Sequence, residues 1–109
     1  MNIKGKVTNI KGNTTITNND GNLTIENNAE VKNTESENIT AENKGGKFSL
    51  AGLLQHLGVG NITVKNSGDN GLETTDTSKI AVNNGNINIE NTKGTLFANG
   101  AIENTKGNV

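Results

Sequence analysis

Cysteine, proline, tryptophan, tyrosine and arginine are all absent from this chain. Without cysteine there is no disulfide framework, so a cysteine-rich secreted scaffold is excluded, although the compartment is not fixed by that alone. All ten basic residues are Lys, eleven residues are acidic, and the formal net charge is -1. The basic face expected of a nucleic-acid binder is therefore missing. Aromatic residues make up 2% and hydrophobic residues 29% of 109 positions. That is thin for one domain whose globular core would bury roughly two-thirds of its unfolded surface, and taken alone it leans toward disorder. The N-terminus carries no signal-peptide pattern and no segment is long enough to span a bilayer, so membrane insertion is not expected.

What the chain has instead is asparagine, 22 of 109 residues, and glycine, 14, the two residues that best tolerate left-handed turns. They are periodic. Gly60-Asn61-Ile62-Thr63-Val64-Lys65-Asn66 returns as Gly85-Asn86-Ile87-Asn88-Ile89-Glu90-Asn91. Earlier copies are Glu37-Asn38-Ile39-Thr40-Ala41-Glu42-Asn43 and the weaker Gly12-Asn13-Thr14-Thr15-Ile16-Thr17-Asn18; Gly107-Asn108-Val109 opens a fifth. The leading asparagines, at 13, 38, 61, 86 and 108, are spaced by 25, 23, 25 and 22. A fixed period in this range is the signature of a repeat architecture.

The same steps place Asn22-Leu23-Thr24-Ile25, Lys47-Phe48-Ser49-Leu50, Asn70-Gly71-Leu72-Glu73 and Thr95-Leu96-Phe97-Ala98 in one column, the third being a poor strand. Lys6 to Asn13 matches Ala101 to Asn108 at an offset of 95, and Glu30-Val31-Lys32-Asn33 and Lys79-Ile80-Ala81-Val82 share that position. Each unit thus holds three short strands with Gly and Asn between them. The expected organisation is one domain over 1–109, with repeat units 13–37, 38–60, 61–85 and 86–107. Alternation within a strand predicts Thr14, Ile39, Ile62, Ile87 and Val109 as one inward column and Ile16, Ala41, Val64 and Ile89 as its companion. Thr15, Thr40, Thr63 and Asn88 then face solvent, followed by Thr17, Glu42, Lys65 and Glu90, whose alternating signs fit neighbouring coils.

Asn18, Asn43, Asn66 and Asn91 close the first strand of each unit and are predicted to stack as a structural hydrogen-bonded column. Asn13, Asn22, Asn38 and Asn61 also head glycosylation sequons, whose Thr strand propensity already explains. The segment 48–59 breaks the pattern. Leu50, Leu53, Leu54 and Leu57 have helical spacing, and Gly52 and Gly58 bracket a piece too short to be a stable free helix, which predicts a short irregular or helical insertion near 50–58. It would pack on the coil or, through Leu53, Leu54 and Leu57, dock on a partner. His56 lies inside it with no Cys or second His, and is read as a packed or solvated histidine. Asp69, Glu73 and Asp76 form a loose acidic group without stacked repetition, a solvated loop rather than a catalytic or calcium site. No catalytic, metal-binding or cofactor-binding residue is assigned, and no cofactor is expected.

Gly21-Asn22-Leu23-Thr24-Ile25-Glu26-Asn27, Gly60-Asn61-Ile62-Thr63-Val64 and Asn99 to Val109 resemble the repeat region of filamentous-haemagglutinin-type exoproteins. These are the adhesins and contact-dependent inhibition stalks of two-partner secretion. The resemblance covers most of the chain outside 48–59. It implies a right-handed parallel β-helix, a chirality that parallel crossovers also favour, together with export and service as a cell-surface stalk. The family's amino-terminal secretion domain and toxin tip are not in this sequence, which the resemblance would place within the shaft.

The expected protein is therefore an all-β, three-sided parallel β-solenoid of about four coils of 22–25 residues. Its expected role is non-catalytic: a rigid shaft segment of a bacterial surface or secreted adhesin. A self-assembling β-solenoid fibre or matrix protein is the alternative, and a carbohydrate-active β-helix fragment the further one, disfavoured by the lack of Arg and of stacked carboxylates. A threonine-ladder ice binder is disfavoured by the charges beside Thr15, Thr40 and Thr63. Expected partners are the chain itself, end to end, or further repeats of a longer parent, with a host surface glycan or protein beyond them.

Overall fold

Single-residue alternation builds the strands. From Ile62 to Asn66, residues 62, 64 and 66 are buried while Thr63 and Lys65 are half-buried, and Ile39 to Asn43 repeats the pattern. The computed structural model describes residues 1–109 and contains fourteen strands and no helix. A first partial coil holds β1 (Asn2–Ile3) and β2 (Lys6–Asn9). The next holds β3 (Thr14–Asn18), β4 (Leu23–Ile25) and β5 (Glu30–Asn33). It is followed by β6 (Ile39–Asn43), β7 (Phe48–Leu50) and β8 (Leu53–Val59). Then come β9 (Ile62–Asn66), β10 (Leu72–Thr74) and β11 (Lys79–Asn84), and last β12 (Ile87–Asn91), β13 (Leu96–Ala98) and β14 (Ala101–Lys106).

Every third strand pairs in parallel with the one before it. Sheet I runs β3-β6-β9-β12, sheet II β1-β4-β7-β10-β13 and sheet III β2-β5-β8-β11-β14. The chain is thus a three-sided parallel β-solenoid, as the repeat predicts. The sheet I register is the one read from sequence: Thr14, Ile39, Ile62 and Ile87 are successive partners, as are Ile16, Ala41, Val64 and Ile89. Sheet III likewise joins Lys6, Glu30, Leu53, Lys79 and Ala101.

Sixteen buried apolar residues form one core down the axis, with Phe48, Leu50, Leu54, Ile39 and Ile62 among those fully enclosed. A thin apolar composition suffices because each strand contributes only its inward side chains, and each enclosed Leu, Ile or Phe is worth about 1.5–3 kcal/mol. Six of seven ion pairs, among them Lys47–Glu73 at 2.8 Å and Lys79–Glu103 at 3.2 Å, join neighbouring coils rather than residues of one coil. They favour the correct register, at about 0.2–1 kcal/mol for an exposed pair.

Two expectations are corrected. The poor third strand of the sheet II column is a register error of one residue. Phe48 pairs with Leu72, and Leu72 with Leu96, so the strand is Leu72–Thr74 and not one starting at Asn70. The turn before it, Ser67 to Gly71, is one residue longer than the corresponding Lys44 to Lys47. The second correction concerns 50–58, which is neither helical nor an insertion. Leu53–Val59 is the regular sheet III strand of its coil, paired with β5 on one side and β11 on the other. A helix of that length cannot repay its own nucleation, whereas the adjacent coils offer a ready ladder. The Leu53 amide donates to Ala29 O at 2.9 Å and the Lys79 amide to Gly52 O at 3.0 Å. The leucines at helical spacing belong to two strands and both faces: Leu50 and Leu54 point in, Leu53 is half-buried and Leu57 is 45% exposed. One irregularity remains, a bulge in which Leu57 and Gly58 stand opposite Asn83 alone.

Candidate functional site

Polar chemistry in this fold is concentrated at its corners. The first corner follows sheet I. Asn18 Nδ2 donates to Asn43 Oδ1 at 2.8 Å, Asn43 Nδ2 to Asn66 Oδ1 at 3.0 Å, and Asn66 Nδ2 to Asn91 Oδ1 at 2.9 Å. Asn43 and Asn66 are fully enclosed. Asn18, Asn66 and Asn91 also donate to the turn carbonyls of Gly21, Gly68 and Gly94. A buried amide is tolerated only when its donors and acceptors are matched, and here each coil supplies the partner of the next. All four asparagines singled out by the repeat stand in this column.

A second ladder starts sheet I. The backbone amides of Asn38, Asn61, Asn86 and Asn108 donate to Oδ1 of Asn13, Asn38, Asn61 and Asn86, at 2.8–3.1 Å. The leading asparagine of each repeat is thus a side-chain acceptor for the backbone one coil on. Three of the four sequon asparagines, Asn13, Asn38 and Asn61, use Oδ1 in this way, and the fourth, Asn22, accepts from the Lys47 amide.

The third polar column ends sheet III and comprises Asn9, Asn33, His56, Val82 and Asn104. Asn33 Nδ2 donates to Gly12 O at 3.1 Å and Asn104 Nδ2 to Gly85 O at 3.0 Å. His56 does the same with Nε2 and the carbonyl of Glu37 at 2.5 Å, while its Nδ1 accepts from the Gly58 amide at 3.1 Å. Those partners assign the neutral Nε2–H tautomer. The only histidine, 1% exposed, is an asparagine substitute in a corner. Thr14 Oγ1 donates to Asn33 Oδ1 at 2.6 Å. The equivalent oxygen of Asn104 is the single buried side-chain atom without a partner, because Ile87 occupies the place of Thr14.

This third column was missed in sequence. The matched segments ending in Asn9, Asn33 and Asn104 pointed to it, but the leucines around His56 concealed its own strand.

Leu53, Leu54 and Leu57, the candidate docking residues, do not form one surface. Leu54 is fully enclosed, and only Leu53 and Leu57 face outward. Leu57 borders a shallow hollow on sheet III with Gln55, Lys79, Asn83, Glu103 and Thr105. The acidic residues are dispersed: Glu73 pairs with Lys47, Asp69 with Lys93 at 3.6 Å, and Asp76 is exposed. No three His, Cys, Asp or Glu side chains converge. Glu30 has its carboxyl held below the usual carboxylate range, chiefly by the hydrogen bond from Lys32 and then by the charge of Lys32, with Lys6 adding to it.

No family model, curated protein or solved structure matches the chain. Fold and corners together define a β-solenoid whose polar interior is committed to joining coils.

Proposed function

We propose that this chain is a non-catalytic, rigid shaft segment of a bacterial surface or secreted adhesin of the filamentous-haemagglutinin type. The supporting observation is the use made of its polar side chains. The asparagines stack coil on coil at 2.8–3.0 Å inside the solenoid instead of converging on a cleft. A column of this kind opposes shear between coils, because sliding one coil past its neighbour strands the buried amide groups that pair them. The faces support the same reading: sheet I presents Thr15, Thr40 and Thr63 in line, with Glu42, Lys65 and Glu90 beside them. The carboxylates Glu73 and Asp69 are engaged by lysines, which disfavours the carbohydrate-active alternative. A shaft holds a distant tip away from the cell and has no receptor of its own. Purified chain incubated with host cells and a panel of surface glycans should show no saturable binding. Selective, saturable binding to one glycan or cell type would replace the shaft with a receptor-binding segment.

A self-assembling fibre or matrix protein is the second reading, favoured by one observation. Nine large apolar side chains remain exposed: Met1, Val7 and Ile10 on the first coils, Leu96, Phe97, Ile102 and Val109 on the last, and Leu57 and Val59 between them on sheet III.

A further inference from the structure

Asparagine holds the corners of this fold, yet an asparagine side chain is open to attack by the main-chain nitrogen that follows it. The attack needs that nitrogen to be free of a hydrogen bond. Along the buried column the coils withhold it. The amides after Asn43, Asn66 and Asn91, those of Lys44, Ser67 and Thr92, donate to the carbonyls of Asn18, Asn43 and Asn66 at 2.8–3.0 Å. The amides after Asn13, Asn38 and Asn61 are tied to the next coil in the same manner.

Three asparagines are followed by glycine, which has no side chain to shield its nitrogen: Asn70, Asn84 and Asn99. All three are exposed. They differ in the amide that follows. Gly85 N donates to Lys106 O at 2.9 Å, whereas Gly71 N and Gly100 N donate to no acceptor. Asn99 is pinned on both sides of its Cα. Its N–H donates to Thr74 O at 3.0 Å, and its carbonyl accepts from Thr74 Oγ1 at 2.7 Å. Asn70 is held only through its N–H, which donates to Gly46 O at 3.2 Å. The fold also keeps glycine after it. Gly71 has a φ of 90°, and an added Cβ would run into the Thr95 backbone.

We infer that Asn70 is a site of spontaneous covalent modification, converted to aspartate and isoaspartate through a cyclic imide with Gly71. The Gly71 nitrogen attacks Asn70 Cγ, the Cγ–Nδ2 bond breaks, and Nδ2 leaves as ammonia with the proton that Gly71 gave up. Water then opens the five-membered imide. Opening at Cγ yields aspartate in a normal chain. Opening at the main-chain carbon leaves Gly71 attached through Cγ, which is isoaspartate. Either product places a new carboxylate next to Asp69, the partner of Lys93 at 3.6 Å. Isoaspartate also lengthens the main chain by one carbon just before the Gly71 carbonyl, which accepts from the Phe48 amide at 3.0 Å. The modification therefore loosens the joint between β7 and β10. The inference goes beyond the shaft reading and does not depend on it.

The test is to hold the folded chain in mildly alkaline buffer, digest it at intervals, and follow each Asn–Gly bond by mass spectrometry with separation of the two isomers. Asn70 should convert about tenfold faster than Asn84, the factor imposed when a hydrogen bond of ~1.4 kcal/mol must open first. Asn99 should fall between them. In urea, where none of these amides is bonded, the three rates should converge. Amide hydrogen exchange gives a readout free of the chemistry, with Gly71 exchanging ahead of Gly85. Asn70→Gln, an exposed change whose longer side chain closes the ring poorly, should remove the fast conversion and leave Asn84 and Asn99 as they were. Equal rates at Asn70 and Asn84 in the folded chain, or a faster Asn99, overturn the assignment. So does an Asn70 that converts only in urea. None of these results touches the shaft reading, which stands or falls on receptor binding.

Discussion

The Nε2–H of His56 donates to the main-chain carbonyl of Glu37 at 2.5 Å, and Asn33, its partner one coil away, donates in the same way to Gly12 O at 3.1 Å. An imidazole and a carboxamide thus hold the same corner of successive coils. Removing the ring strands the Glu37 carbonyl and the Gly58 amide and leaves a hole beside Leu54. His56→Ala should destabilise the fold by about 2–4 kcal/mol. His56→Asn, which restores a donor already proven at position 33, should cost less than about half of that. Urea unfolding followed by circular dichroism decides between them, and equal losses for the two variants would refute the corner role.

The buried column gives a graded test. Asn66 accepts from Asn43 and the Gly68 amide and donates to Gly68 O and Asn91. Asn66→Ala leaves several enclosed polar groups unmatched, and a loss of about 3–4 kcal/mol is expected. Asn91 is half-buried at the end of the column, so Asn91→Ala should cost about 1 kcal/mol or less. The order of the two midpoints in denaturant is the measurement. A costlier change at Asn91 would contradict the ladder.

Much of this was legible because the repeat is nearly invariant along sheet I. The 25, 23 and 25 steps fix which of Ile39, Ile62 and Ile87 lie together, and period-two alternation then sends Thr40 and Thr63 outward. Two places were not legible. A five-residue turn before Leu72 has no mark in composition that separates it from a four-residue one, so the sheet II strand slipped by one position. Leu50, Leu53, Leu54 and Leu57 fall at helical intervals only because β7 and β8 are separated by the tight corner at Gly52. Local periodicity gave way there to the pairing imposed by the coils on either side, which is how tertiary context overrides intrinsic preference.

The sheet I register is tested by two adjacent substitutions. Ile62 is fully enclosed and Thr63 half-buried and outward. Ile62→Asp buries an unpaired carboxylate and should abolish cooperative folding. Thr63→Asp should change stability by about 0.5 kcal/mol or less. Thermal melts of the two variants that coincide would invalidate the alternation.

Acid should loosen the chain in part through Glu30. Its carboxyl is held low first by the Lys32 hydrogen bond at 3.0 Å, then by the Lys32 charge and, less strongly, by Lys6, with desolvation acting the other way. A carboxyl that protonates at lower pH folded than unfolded contributes stability in full above its unfolded value. That contribution disappears as pH falls through the folded one. In Lys32→Ala the Glu30 carboxyl resonance should titrate at higher pH than in the parent chain, and the acid limb of the stability curve should flatten. An unmoved titration midpoint would assign the effect to something other than Lys32.

Glu37 stands where the other coils have Gly12, Gly60, Gly85 and Gly107, and it is the only non-glycine residue with a positive φ, at 72°. A left-handed backbone costs a side chain with a Cβ roughly 1–2 kcal/mol, whereas glycine adopts it freely at the expense of a more flexible unfolded chain, about 0.4–1 kcal/mol. The Glu37 side chain is exposed and makes no hydrogen bond or ion pair. The contribution of this residue to the fold is its carbonyl, the acceptor for His56, and that group survives in glycine. Glu37→Gly should therefore stabilise the protein by about 0.5–1 kcal/mol. Gly60→Ala, one coil on, should do the opposite, because an added methyl group there runs into the Glu37 carbonyl and the His56 ring. Paired denaturant titrations read both signs, and a destabilised Glu37→Gly would mean that the side chain holds the corner by an interaction other than its backbone.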